Sequence, residues 1–463
     1  MYNAYVTTLK NVRKHPNADR LLLADCFGNT VCVSLDYKED QTVIYFPVDG
    51  QLSEEFAHTN HLCRKTKDGQ PDTGYLDPDK RNIRAIKLRG EKSDGLAIPL
   101  SCLSSFGDTS TLKVGDTINI FNGHEICKKY IPHTNKVSFT SSGGNRTRKH
   151  VVPVAPLFAE HADTEQLAYN LDAFKPGDQI EITLKMHGTS ARTGYLPKLV
   201  GYTSHNAFFR NILKLDYEKL GKVAKKIYDT AMHFATPVYD WGYVTGTRRV
   251  VLDDFEDGGF YGSNAFREPH AKFFEGKLWK GETVYYEIVG YVDANTPIMP
   301  SVSNKSTNDK KFIKQYGDTT VFSYGCEPGQ SDFYVYRMTI INEDGAVIEY
   351  TPDFMRYRCE QMGAKCVPVL WRGYLDEPDD WTQEEFNPGE FVKQIAEEYY
   401  DGPDPIGKTH VREGVVVRIV NRPKFCAYKH KNWSFKCIEG LAKDTASAPD
   451  IEEAQEEIEN DKC

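Results

Sequence analysis

The stretch ITLKMHGTSAR, residues 182–192, alternates Ile182, Leu184 and Met186 with Thr183 and Lys185. That is the period-2 pattern of a half-buried strand. Lys185 therefore falls on the polar face, just before the chain turns at His187-Gly188. A lysine held there can act as a nucleophile if its surroundings favour the free amine. Further stretches share the same property of placing charged or aromatic groups at strand spacing. In TVYYEIVGY, Glu287 shares a face with Tyr285 and Val289, and in VREGVVVRIV, Glu413 falls in step with Val415, Val417 and Ile419. A carboxylate on an apolar strand face is costly unless something pairs with it. In FCAYKHKNWSFK, Lys429 and Lys431 are two apart and project from one face. In DFYVYRMTI, Phe333, Val335 and Arg337 share a face, and in VTGTRRVVL, Thr247-Arg248 follows a glycine.

Taken singly, each feature has a plainer reading. Glu287 or Glu413 is also half of a structural ion pair, Lys429 and Lys431 are also edge-strand gatekeepers, and Phe333 is also core. Taken together they form an inventory suited to a nucleoside triphosphate. A ring stacks on the base, basic side chains hold the phosphates, and acids bind the ribose or a hydrated metal.

The elements that must position these groups come from a chain of 463 residues, long enough for two or three domains. Residues 1–124 read as an all-β domain. TVIYFPVDG, AIKLRGEKSDGLAIPL and LKVGDTINIF are short β-rich runs bounded by Gly, Asp and Pro. Their spacing suggests a five-stranded OB-like barrel. KHPNADRLLLADC resembles a stretch of OB-type tRNA-binding modules, and also reads as a turn before a strand. Residues 125–150 read as a basic linker, and Lys128–His150 holds no acid. From residue 151 the chain becomes mixed α+β. Arg210–Ala235 has helical spacing, with Lys214, Lys219, Lys222, Lys225 and Lys226 off the apolar stripe. That lysine row reads as a solvated face or as a phosphate-backbone contact. Residues 376–390 form an acidic loop, and Asp450–Asp461 holds seven acidic residues of the tail 441–463.

Eleven scattered cysteines without CxxC pairs suggest reduced thiols in an intracellular, cytoplasmic protein rather than a zinc site. No apolar run of membrane-spanning length and no signal-peptide core is present, so no membrane partner is expected. A net charge of −9 disfavours a nonspecific nucleic-acid coat but leaves room for a local basic groove.

In order, these motifs resemble the covalent nucleotidyltransferases: DNA ligases, RNA ligases and mRNA capping enzymes. KMHGTSAR is similar to their first motif, TGTRR to the second, YYEIVGY to the third, DFYVYRM to the adenine-stacking strand, REGVVVR to the fourth and YKHKNWSF to the fifth. The His-Gly-Thr form of the first motif resembles RNA ligases that seal nicks in duplexes. FPVDGQLSEEFA and KLRGEKSDGLAIPL resemble an OB-like domain that precedes the core in one RNA ligase subfamily. DNA ligases and capping enzymes carry that domain after the fifth motif instead. The resemblance implies a nucleotidyltransferase domain over 151–440, built of antiparallel sheets flanked by helices. Insertions are expected near 203–240 and 351–410.

The resemblance also implies roles. Lys185 attacks the α-phosphate of ATP and becomes lysyl-AMP, while Lys429 and Lys431 hold the α-phosphate and the leaving pyrophosphate. Glu413 binds Mg²⁺ or Mn²⁺ through water, and Glu287 contacts the ribose or the same water shell. Phe333 stacks on adenine, with Tyr334 as the alternative. Arg248 and Arg192 bind phosphate. His187 stands where the family usually has Asp, and binds the phosphate or the metal's waters. Ser190 stands where duplex-sealing relatives often have Asn. The expected protein is a monomeric ATP-dependent RNA ligase that acts on RNA ends, at nicked duplexes with an RNA 3′-OH strand, in RNA repair. The alternatives are another nucleotidyltransferase, such as a DNA ligase or capping-like enzyme, and a non-catalytic RNA-binding protein. The second would be expected to lose Lys185, Glu413 or the lysine pair, and the chain has all of them.

Overall fold

Runs that alternate apolar and polar residues become strands whose apolar faces pack together, because a strand sends successive side chains to opposite faces. A computed structural model describes residues 2–130, 153–252, 255, 261, 263–307, 309–342, 344–376 and 386–444. Most of the basic linker and the acidic tail, and the middle of the acidic loop, lie outside the described residues.

The first 130 residues form a four-stranded antiparallel sheet and a three-stranded one, with short two-stranded pairs. In the larger sheet Ala4–Thr8 pairs with Thr42–Phe46, which pairs with Leu96–Pro99. Val6, Ile44, Phe46 and Ile98 pack there against Phe56 and Phe106. The second sheet begins at Lys10, one residue after the first strand ends, where the chain turns away. Among the described residues the two sheets do not join into a closed five-stranded barrel. KHPNADRLLLADC, residues 14–26, forms the turn after the strand Lys10–Lys14 and then the strand Leu22–Cys26.

The rest of the chain is built on two sheets, antiparallel but for one two-residue edge strand. One runs in the order Glu165–Gln166, Ala427–Lys431, Gly414–Ile419, Gln179–Lys185, Val369–Tyr374. The other runs Val251–Leu252, Thr236–Gly246, Thr189–Thr203, Glu282–Gly290, Ser331–Ile341, Val347–Glu349. The Lys185 strand leaves the first sheet and re-enters the second at Thr189, so the turn at His187-Gly188 joins the two. Arg267, fully buried, holds the far side of that turn. Its guanidinium donates to the Ser190 carbonyl at 3.0 Å and to Thr189 Oγ1 at 2.6 Å.

The expected single helix Arg210–Ala235 is two helices, Ala207–Ile212 and Lys222–Met232, with a 3-10 turn at Tyr217–Lys219 between them. Gly221 is the N-cap of the second and interrupts the helical run. The region 351–410 supplies the edge strand Val369–Tyr374 to the Lys185 sheet and the helix Pro352–Met362, whose Arg356 reaches Glu181 at 2.8 Å.

The N-terminal sheets dock on the last described helix, Trp433–Asp444. Lys436 Nζ lies 2.6 Å from Asp94 Oδ2 with both groups nearly buried, and Lys92 sits over the Trp433 ring. Tyr169 packs tilted against Tyr5 at 4.6 Å and edge-on to Phe27 at 5.0 Å. The helix that follows Lys431 is thus fixed by the first domain.

One glycine controls where Glu413 points. Gly414 has φ of +150°, and a Cβ there would meet the His430 carbonyl at 2.1 Å. The strand therefore starts with a twist that breaks strict alternation. Val415, Val417 and Ile419 pack in the apolar layer, whereas Glu413 turns to the Lys185 side instead of falling in step with them. Gly414→Ala should lower stability by about 1–3 kcal/mol, from backbone strain and the clash together. Urea titration of the full chain checks this. An unchanged midpoint would show that the position tolerates a side chain.

Candidate nucleotide site

Three strands of the Lys185 sheet and three of the other sheet enclose a pocket. Glu181, Thr183 and Lys185 line one wall at alternate positions, as the period-2 pattern requires. Val416 and Arg418 continue the wall, and Lys429 pairs across from Val416. Ser190, Glu287 and Tyr336 supply the facing side, with Arg248 and His161 at its rim.

Lys185 Nζ donates to Glu413 Oε1 at 2.6 Å. Glu413 is 2% exposed, and its Oε2 has no hydrogen-bond partner among the described residues. His187 Nδ1 is 3.7 Å from that same oxygen. The His187 ring is wedged edge-on between Phe322 and Phe435, at 4.6 and 4.7 Å. Its backbone N–H donates to Tyr324 Oη at 2.7 Å, which fixes the turn. Glu287 Oε1 accepts from the Gly188 N–H at 3.1 Å.

The paired lysines divide. Lys429 lines the pocket, and burial together with Lys431 and Lys185 pushes its amine down to about 8. Lys431 projects to the same side, yet its ammonium reaches Glu439 at 2.7 Å and stands 3.7 Å from Glu413. Arg248 pairs with Asp163 at the rim. Burial, with Arg248 and Arg337 close by, holds His161 neutral with a pKa of about 3.

Two sequence assignments are corrected. Phe333 does not face the pocket. It is buried among Phe273, Phe274 and Tyr286, with ring centroids 5.1–5.4 Å apart. A bulge explains the change: Val335 pairs with Tyr286 and Arg337 with Tyr285, so Tyr336 is extra in its strand. Phe333, Val335 and Arg337 therefore do not share a face, and Tyr336 lines the pocket together with Phe425. Tyr334, the alternative, packs in the neighbouring apolar cluster with Leu184 and Val289.

Arg192 is the second correction. Its guanidinium is 2% exposed and donates to the carbonyls of Thr247 and Phe158 at 3.0 and 3.1 Å and of Arg249 at 3.0 Å. It ties two loop segments, 158–159 and 247–249, to its own strand and does not line the pocket. His161, Tyr336, Arg418 and Arg356 were missed. Arg418 and Arg356 sit on strand and helix faces that periodicity marks only as polar. His161 lies in a segment with no regular pattern.

The donor set fits one hydrated hard cation. Among the described residues no three His, Cys, Asp or Glu side chains gather at one point. The orphaned Glu413 Oε2 is a single buried carboxylate oxygen, which suits Mg²⁺ or Mn²⁺ that keeps several waters.

Arg192→Lys should lower the thermal midpoint, because buried carbonyls lose partners at about 1–3 kcal/mol each. Nucleotide affinity at a temperature where the variant is folded should match the wild type. A folded variant with tenfold weaker ATP binding would return Arg192 to the phosphate site.

No family model matches the chain, and no curated protein matches it. Its structure is similar to that of a lysine-to-alanine variant of the Naegleria gruberi RNA ligase with ATP and manganese. The TM-score is 0.53 at 15% identity, over 94% of this chain and 98% of that one. It is equally similar to the Naegleria gruberi RNA ligase with pyrophosphate, at TM-score 0.53 and 16% identity over 93% and 96% of the two chains. A methionine variant with AMP and manganese gives 0.52 at 14% identity, over 94% and 97%. Across nearly its whole length, therefore, the chain has the fold of these RNA ligases.

Proposed function

We propose that the protein is an ATP-dependent RNA ligase that joins 3′-OH and 5′-phosphate ends at nicks in duplexes, in RNA repair. The observation that carries this reading is the contact between Lys185 Nζ and a buried carboxylate at 2.6 Å, at a strand end that opens on a cationic pocket. Of the ligands in the similar structures, ATP with manganese, AMP with manganese and pyrophosphate, ATP is the reactant and pyrophosphate the leaving product of such a first step, and AMP is the group it transfers.

The chain's own residues account for that step. Lys185 gives up a proton, and Glu413 Oε1 is the acceptor in reach. The free amine attacks the α-phosphorus of ATP; a P–N bond forms, the bond to the β-phosphate oxygen breaks and pyrophosphate leaves. Lys429 and Arg248 offset the charge that grows on the phosphates. Tyr336, in the pocket lining with Val416, takes the place against adenine that the sequence assigns to Phe333. Lys431, held by Glu439, and His187, held by two phenyl rings, position Glu413. Glu287 keeps the Gly188 turn closed and faces the ribose. Mg²⁺ or Mn²⁺, held through water by Glu413 and Glu287, neutralises phosphate charge when bound. In the two later steps AMP passes from Lys185 to the 5′-phosphate of RNA, and the 3′-OH attacks that phosphate and releases AMP. The OB-like first domain, residues 1–124, contributes RNA binding.

Incubation with α-labelled ATP and Mg²⁺ should leave label on the protein through denaturing electrophoresis, whereas γ-labelled ATP should leave none. Lys185→Ala should abolish the label; a labelled Lys185→Ala variant would overturn the assignment. Glu413→Gln should slow labelling on the order of 10²–10³-fold, with the fold intact by circular dichroism.

The depressed Lys429 amine adds a pH dependence. Its positive charge is present below about 8 and is lost above it. Calorimetric ATP affinity, measured in Lys185→Ala to prevent turnover, should weaken as pH rises through that value. Lys429→Arg, which stays charged, should flatten the dependence. Equal pH profiles in the two backgrounds would remove Lys429 from the phosphate site.

A further inference from the structure

The strand Thr189–Thr203 begins in the pocket and does not end at the edge of its sheet. It pairs with Glu282–Gly290 only as far as Gly194. Its pairing with Thr236–Gly246 continues to Thr203. Tyr195–Thr203 and its partner therefore form a two-stranded ribbon that runs roughly 30 Å beyond the six-stranded sheet, at about 3.3 Å per residue. At its end stand the helices Ala207–Ile212 and Lys222–Met232.

This tip is built rather than slack. Asn206 Oδ1 caps the first helix by accepting from the Phe208 N–H at 2.9 Å, and Arg210 Nε donates to the Ser204 carbonyl at 2.9 Å. Phe209 stacks on Phe234 at 5.6 Å. Yet only Leu213 and Ala231 of its apolar residues are buried. Phe208 is 59% exposed, Phe234 63% and Val223 75%. Exposed rings on a structured tip point to a partner.

Charge selects the partner. From His205 to Ala235 six Lys or Arg stand against three Asp or Glu, in a chain of net charge −9. Lys214, Lys219, Lys222 and Lys226 are exposed. A basic tip on an acidic protein fits a polyanion, and flat exposed rings beside lysines fit sugars and unpaired bases.

We propose that this ribbon and its helical tip are a nucleic-acid clamp. It holds the backbone of the RNA substrate roughly 30 Å from the core sheet and about 45 Å along the strand from its pocket end at Thr189, on the order of fifteen base pairs from the reacting ends at ~3 Å of rise per pair. The identity of the partner as RNA rests on the ligase reading; the clamp's use of phosphate contacts does not.

The test uses the full chain carrying Lys214→Glu, Lys222→Glu and Lys226→Glu together, and a nicked RNA duplex with twenty base pairs on each side. The dissociation constant should rise at least about tenfold. The slope of log affinity against log salt should fall in magnitude by about two to three, because each lost phosphate contact contributes roughly 0.9. Label uptake from α-labelled ATP should not change, since the tip is remote from Lys185. The three lysines changed to Arg should bind as the wild type does. On a duplex with five base pairs on each side, wild type and charge-reversed variant should bind alike. Equal affinity and equal salt slope on the long duplex would overturn the clamp, including the case in which the tip docks a protein. Tip-dependent RNA binding by a chain that takes up no label from ATP would keep the clamp and reject the ligase.

Discussion

A carboxylate that is 2% exposed must be paired, and here its partner is the lysine that the chemistry needs. A buried ion pair repays its desolvation poorly when compared with apolar packing, so Lys185–Glu413 is a weak stabiliser and a strong constraint. Much of the surrounding structure serves it. Gly414 pairs with Lys185 on one side and Lys431 on the other, and its φ of +150° turns Glu413 inward. Phe322 and Phe435 hold His187 beside the free carboxylate oxygen. Glu439 takes up Lys431, so that Glu413 is not shared equally between two ammonium groups. The helix carrying Glu439 is in turn pinned by Asp94 of the first domain through Lys436. The first domain is therefore mechanically joined to the strand that follows Glu413, although none of its residues lines the pocket.

The pocket's electrostatics follow from crowding cations in a place with little water. Lys429 is pushed down by burial and by Lys431 and Lys185, and His161 is driven neutral by burial and by Arg248 and Arg337. Such a site is unfavourable when empty of anions and is relieved by a polyphosphate. Neutral His161 touches Tyr336 edge-on at 5.4 Å, and the Tyr336 hydroxyl is 3.0 Å from Ser190 Oγ. Ser190 thus orients the ring that faces the pocket.

Much of this was legible in the sequence because strand alternation fixes faces. Lys185, Glu287, Lys429 and Arg248 come from four distant stretches and meet in one pocket. What failed was alternation across a local irregularity. A bulge at Tyr336 exchanged the faces of its strand, and a twisted glycine did the same for Glu413. Neither is written in a pattern of residue types. Arg192 misled for another reason. A guanidinium inside a β protein satisfies carbonyls as readily as phosphates, and only the surrounding loops decide which. The lysine-rich helix was visible, but its break at Gly221 and its place on a protruding ribbon were not.

The central claim is that Lys185 and no other lysine becomes covalently joined to AMP, because it alone pairs with Glu413 at hydrogen-bond distance at the pocket mouth. Peptide mapping by mass spectrometry, after treatment with ATP and Mg²⁺ and digestion with a protease that does not cut at lysine, tests it directly. The account requires one AMP of added mass, with fragment ions placing it on Lys185 within the peptide that spans Met186-His187-Gly188. Stable adduct on Lys429 or Lys431, or no adduct on a folded, ATP-binding protein, would contradict it.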